Sequence, residues 1–236
     1  MSVLTALLTA MNISVCIMTA VCNGGPMQSE LLQMAVMLPR EDVYNMYLNK
    51  CKVEDYNGDG LPEVYLAAAS GWEYHVYYYL DGEMYTVEGL EPWAWSSDLC
   101  IAADGRLVLY TWPHTVGTDG NYTYRIYEWT EGGYCLTEDL WSEPDERDWD
   151  GTVLSCVYFS SKTAFDHFLF DDEDYAEIQI PQEEYEQKIE SLGKLTSVFT
   201  GDDEWGWDFW EQHEYDDDYA KDELYREIQE EILDWK

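Results

Sequence analysis

The sequence predicts an α+β fold, in which a dominant, twisted antiparallel β meander carries short N-terminal helices and C-terminal helices packed on it. Two observations predict it. Between Glu63 and about Tyr158, short runs rich in β-branched and aromatic residues are separated by glycine-bearing turns. On either side of that region, apolar residues recur at helical spacing and Pro or Gly punctuates the ends.

Taken in order, Ser29 to Met37 and Glu41 to Leu48 have helical spacing and are separated by Leu38-Pro39-Arg40, where the proline imposes a break. The strand candidates are Val64 to Ala68, Tyr74 to Leu80, Met84 to Val87, Leu107 to Trp112, Tyr122 to Trp129 and Tyr134 to Leu140. Asp81-Gly82, Asp104-Gly105 and Glu131-Gly132-Gly133 supply the left-handed positions that tight hairpins demand.

A helix is expected next, with Pro181 at N1, Glu183 and Glu184 in the first turn, Tyr185, Ile189 and Leu192 on one face, and Gly193 at its C-cap. The last helix is expected from about Tyr219 to Trp235. Leu224, Tyr225, Ile228, Ile232 and Trp235 form its apolar stripe, which is read as docking on the sheet, with a partner-binding face as the alternative. In outline, residues 1–26 are a targeting segment and 27–236 one domain, helical over 27–50, mainly β over 51–160 and helical over 180–236.

Charge narrows the function classes. The chain has 49 acidic residues against 12 basic ones, a formal net charge of −37 over 236 residues. Such a surface repels nucleic-acid backbones and anionic membranes and attracts cations. Away from any specific site, the acid runs read as solvated, solubilising faces.

From Val3 to Cys22 the chain is apolar apart from small polar residues and Asn12, and no charged residue precedes Glu30. This reads as a signal peptide or membrane anchor, although the basic flank usual in signal peptides is missing, since the first basic residue is Arg40. The expected location is therefore secreted or cell-surface, with no membrane contact beyond this segment. Cys51, Cys100, Cys135 and Cys156 follow it, an even number in a chain expected to meet an oxidising compartment. One or two disulfides are expected, with Cys135 and Cys156 the attractive pair because both lie in strand-like runs. Their spacing contains no CxxC and argues against zinc.

The most specific motif is Asp55-Tyr56-Asn57-Gly58-Asp59-Gly60-Leu61-Pro62-Glu63. Asp55, Asn57 and Asp59 place side-chain oxygens at alternate positions, Gly60 permits the sharp turn, the Leu61 carbonyl is a backbone ligand and Glu63 closes the shell. Oxygen donors without His or Cys favour Ca2+ over transition metals. The alternative is an ordinary Asn-Gly or Asp-Gly turn with exposed acids. The closing carboxylate stands at loop position nine, whereas the helix-loop-helix version closes at position 12, here Leu66. Val64-Tyr65-Leu66 are β-formers, so a strand is expected to leave the loop.

This segment, DYNGDGLPEVYL, resembles the calcium loops of FG-GAP and VCBS-type repeats. With YYLDGEMYTV and IPQEEYEQKIESL after it, the motif order is similar to that of secreted proteins and lipoproteins of Gram-positive gut bacteria that carry a single such loop. The resemblance implies an exported bacterial protein with a calcium site and implies no reaction. A single loop does not make a propeller, which needs the unit repeated at a fixed period.

Residues 201–210 mix acids with aromatics in a chain of 20 Tyr, 11 Trp and 6 Phe. Trp93, Trp95, Trp205 and Trp207 are the candidate rings for stacking on a glycan, against the alternative that they fill the core. The sequence holds no GxSxG, HExxH, GxGxxG or Walker pattern, and its four His are scattered, His114 being the most suggestive. The reading is an exported, calcium-stabilised, non-catalytic surface or extracellular module whose candidate partner is a surface glycan or protein. A secreted carbohydrate-binding protein or glycan hydrolase is the alternative.

Overall fold

Leu38-Pro39-Arg40 separates two helices, as the proline requires: α1 spans Pro26–Met37 and α2 spans Arg40–Asn45. The computed structural model of the chain describes residues 26–45, 48–68, 73–90, 97–112, 122–148, 153–162, 178–200 and 218–236. The N-terminal apolar run, the four candidate tryptophans and His114 lie outside these residues.

Among the described residues, eleven strands form two antiparallel sheets. The first is a four-stranded meander of β1 (Leu48–Glu54), β2 (Glu63–Ala68), β3 (Tyr74–Leu80) and β4 (Glu83–Thr86). The second has β5 (Ser97–Ile101), β6 (Leu107–Thr111), β7 (Thr123–Thr130), β8 (Gly133–Arg147), β9 (Val153–Ser161) and β10 (Ile178–Ile180) in chain order, and β11 (Thr196–Ser197) joins the free edge of β5. The fold is thus α+β with sheet dominant. The remaining helices among the described residues are α3 (Gln182–Ser191) and α4 (Asp218–Asp234).

Strand alternation sorts the apolar residues into stacked layers. Val64, Leu66 and Ala68 of β2 face a cluster with Tyr77 and Tyr79 of β3, Leu31, Met34 and Ala35 of α1, and Ala220, Leu224, Ile228 and Ile232 of α4. Tyr65 and Ala67 point the other way, into a layer between the sheets shared with Leu107, Leu109, Tyr127 and Tyr134. Val108, Ile126 and Leu140 line the far face of the second sheet under Tyr185 and Leu192. The order is helices, sheet, sheet, helix, which explains why β2 is buried at every position.

The apolar stripe of α4 is core. Its four inward residues are at most 1% exposed, and burying a Leu or Ile side chain contributes about 1.5 to 3 kcal/mol. Polar contacts set its position: the Tyr225 hydroxyl donates to the Leu38 carbonyl at 2.8 Å, and Gln229 Nε2 donates to the Ala35 carbonyl at 2.6 Å. These satisfy carbonyls that the end of α1 leaves open.

The connection between sheets is tied down at Gly89, whose carbonyl accepts from Arg125 Nη1 at 2.7 Å and from the Tyr127 hydroxyl at 2.9 Å. Arg125 also pairs with Asp139 at 3.3 Å, the two side chains being 8% and 0% exposed.

Several expectations need correction. The helix expected over Glu41 to Leu48 ends at Asn45, and β1 begins at Leu48, so the helical region expected over 27–50 gives way to strand before its end. Pairing with β2 from Leu48↔Ala68 to Glu54↔Glu63 supplies the ladder that overrides the local spacing. Pro181 is the N-cap of α3 in extended conformation, one residue before N1, while Gly193 at φ 65° follows the cap residue Leu192.

No disulfide joins Cys51, Cys100, Cys135 and Cys156 to one another, so the expected disulfides are not formed among the described residues. Cys135 stands opposite Glu128 on β7, and Cys156 opposite Pro144 on β8. From 135 to 144 is nine residues along β8, about 30 Å of strand, against the roughly 7 Å that a disulfide spans between Cα atoms. Cys51 and Cys100 lie in clusters on opposite sides of the two sheets.

Candidate metal centre

The loop joins β1 to β2, and its backbone is folded by its own acids. Asp55 accepts from the Gly58 amide at 2.6 Å and from the Gly60 amide at 3.0 Å. Asn57 Oδ1 accepts from the Asp59 amide at 2.7 Å, and Asp59 Oδ1 from the Leu61 amide at 2.8 Å. Each is a short side-chain-to-backbone turn that Asp and Asn form readily. Gly58 and Gly60 have φ of 77° and 95°, a left-handed conformation that residues with a Cβ adopt at a cost.

These turns converge three carboxylates. One oxygen each from Asp55, Asp59 and Glu63 can be chosen so that all lie within 4.8 Å of one another. Asp59 is exposed, Asp55 half-buried and Glu63 buried, so the cluster grades from solvent to core. Asn57 sits in the same turn with its amide turned onto Asp59, Nδ2 donating to Oδ2 at 3.2 Å. Leu61 lies over the first cluster, half-buried.

Glu63 decides the chemistry. It is 1% exposed, and Oε2 accepts two hydrogen bonds, from the Tyr56 amide at 3.0 Å and the Tyr65 hydroxyl at 2.8 Å. Among the described residues Oε1 accepts none, and no Lys or Arg pairs with Asp55, Asp59 or Glu63. Burial pushes the Glu63 carboxyl up to about 8; the two hydrogen bonds pull it down, and the charges of Asp59 and Asp55 push it up further. An acid that is buried, repelled by two neighbours and given no basic residue is what a bound cation would relieve.

The sequence-predicted residues Asp55, Asp59 and Glu63 are thus brought together, with Asn57 and Leu61 in the same loop. Sequence reasoning missed the aromatic residues behind them. Tyr56 packs edge-on to Tyr65 at 5.5 Å, and the Tyr65 hydroxyl is pushed upward by burial and by Glu63. Strand alternation puts Glu63 and Tyr65 on one face, a signal present in the text of the chain.

The comparisons decide nothing about kinship. No protein-family model, curated protein or solved structure matches the chain.

Among the described residues the only imidazole is His75, and both of its nitrogens are engaged, Nε2 with Glu73 at 3.0 Å and Nδ1 with the Tyr77 hydroxyl at 3.1 Å. No Ser, Cys or Thr hydrogen-bonds to it among the described residues, so it activates no nucleophile there.

Proposed function

We propose that this chain is an exported, non-catalytic calcium-binding module in which one Ca2+ ion, held by Asp55, Asn57, Asp59, the Leu61 carbonyl and Glu63, stabilises the fold. The observation that carries the reading is Glu63: a buried carboxylate beside two more, with no basic partner among the described residues. Calcium takes six to eight hard oxygen ligands in flexible geometry, which suits carboxylates graded from exposed to buried, whereas Mg2+ demands a tighter octahedron. The role of the ion is structural, because the loop closes the β1–β2 hairpin at the Glu54↔Glu63 pair. Export is supported by the apolar run from Val3 to Cys22, and the resemblance of the loop to FG-GAP and VCBS-type loops points the same way. A glycan or protein of the cell surface is the proposed partner class.

Calorimetric titration of the full chain with Ca2+ and with Mg2+ tests it. Wild type should bind one Ca2+ in preference to Mg2+, Asp59→Ala should lose that binding, and Glu190→Ala, which removes an exposed acid from α3, should keep it. Equal loss in both variants would show that diffuse negative charge, and no built site, holds the ion.

A further inference from the structure

The loop that carries the three carboxylates also forms one wall of a surface cleft of about 710 Å3. Asp59 and Leu61 supply that wall, and Glu30 and Gln33 of α1 supply a second. Tyr79 of β3 and Asp81 in the turn after it supply the third. Glu30 and Gln33 are three residues apart and so share one face of their helix. The Tyr79 hydroxyl donates to Gln33 Oε1, which fixes the amide in the wall and leaves its Nε2 as a donor for a ligand.

The cleft falls within the range of about 300 to 1,000 Å3 usual for small-molecule sites. Its lining sets the chemistry of the occupant. Glu30, Asp59 and Asp81 accept hydrogen bonds, Gln33 donates, and Leu61 offers apolar contact. No Lys or Arg lines the cleft among the described residues, so an anion would meet three carboxylates unopposed. A neutral ligand rich in hydroxyl groups matches the acceptors, the donor and the apolar wall together. Asp59 is both the exposed member of the metal cluster and a lining residue, which turns the outer side of a loop-bound ion toward the cleft. The loop offers five candidate ligands, fewer than the six to eight oxygens that Ca2+ takes, and neutral oxygens ordinarily fill the rest.

We propose that the cleft is a calcium-dependent saccharide site, in which two adjacent sugar hydroxyls coordinate the ion beside Asp59, Glu30 and Asp81 accept from neighbouring hydroxyls, and Gln33 Nε2 donates. This rests on the calcium reading above and narrows its partner class to a neutral glycan. A vicinal diol replaces two ion-bound waters with one molecule whose oxygens are already held at a fixed spacing, so less freedom is lost on binding. An amine, by contrast, competes with Ca2+ for the same acids, because like charges repel.

The test screens the full chain against immobilised neutral glycans ending in mannose, galactose, fucose or N-acetylglucosamine, and against the diamine cadaverine, in Ca2+ and in EDTA. Calorimetric titration with Ca2+ runs alongside. Wild type should hold at least one glycan in Ca2+ and release it in EDTA. Gln33→Ala should bind that glycan about fivefold more weakly, the loss of one hydrogen bond. Gln33→Trp, whose ring fills the cleft from an exposed helix position, should not bind it. Both variants should keep the wild-type Ca2+ affinity, which separates the cleft from the loop. If wild type binds Ca2+ yet holds no glycan, holds it equally in EDTA, or holds cadaverine alone, the saccharide site is overturned and the calcium loop stands. Undiminished glycan binding by Gln33→Trp overturns it too. No Ca2+ binding by wild type overturns the loop reading and the saccharide site with it. Should Gln33→Trp fail to fold, Gln33→Ala decides: unchanged glycan affinity overturns the site.

Discussion

The Tyr65 hydroxyl donates a 2.8 Å hydrogen bond to Oε2 of Glu63, two residues before it on the same strand and face. The bond links the acidic loop to the layer between the sheets, because Tyr65 is 0% exposed and packs there among residues of both. A buried carboxylate needs such donors, and two donors do not replace a cation.

Glu63→Gln keeps the shape and removes the charge, so its effect should change sign with calcium. In EDTA the variant should melt a few degrees above wild type at neutral pH, since Gln removes the cost of protonating that carboxylate on folding or of burying it charged. In millimolar Ca2+ it should melt below wild type, having lost a ligand. Paired thermal melts check both signs.

The metal-free protein should lose stability as pH rises. The Glu63 carboxyl is raised from 4.5 to about 8 by burial, so between those values the folded chain keeps a proton that the unfolded chain has released. The unfolded state then binds fewer protons, and stability falls across roughly pH 5 to 8 and levels off above. Urea melts in EDTA at stepped pH should show this slope in wild type and a shallower one in Glu63→Gln, which carries the same background of negative charge.

Asp139→Asn should be strongly destabilising although it lies far along the chain from the loop. It leaves Arg125 buried without its carboxylate, and breaking one side of a buried ion pair costs about 3 to 5 kcal/mol. Urea denaturation measures it, and a loss under 1 kcal/mol would contradict the assigned burial.

Ile228→Ala tests whether the stripe of α4 is core. Ile228 is 0% exposed in the first cluster, and truncating such a residue costs about 2 to 5 kcal/mol. A near-neutral result would return α4 to the role of a partner-binding helix.

Much of this architecture was legible in the chain. Turn chemistry and β-former runs mark β2, β3, β4, β6 and β7 to within a residue or so, because Asp81-Gly82 and Gly132-Gly133 admit few other conformations. Where tertiary pairing decides, local pattern fails. Residues 41–48 have helical spacing, yet Leu48 pairs with Ala68, and β10 and β11 are three and two residues long, strands only because β9 and β5 offer them an edge.

β8 runs past Leu140 through Pro144, which a central strand tolerates because the register shifts between Pro144 and Glu146. The division of the meander into two stacked sheets leaves no local mark. In the candidate site, Asp55, Asn57, Asp59, Leu61 and Glu63 announce themselves by spacing, whereas the burial of Glu63 and its bond to the Tyr65 hydroxyl depend on the stacking of the two sheets.

The most direct test of the central claim is a thermal melt of the full chain in excess EDTA, in millimolar Ca2+ and in millimolar Mg2+. One native-state site at about 100 times its dissociation constant adds roughly 2.7 kcal/mol, which should raise the midpoint by about 5 to 10 °C for a domain of this size. The account predicts that rise with Ca2+ and a clearly smaller one with Mg2+. No rise with Ca2+, or an equal rise with both ions, would contradict it.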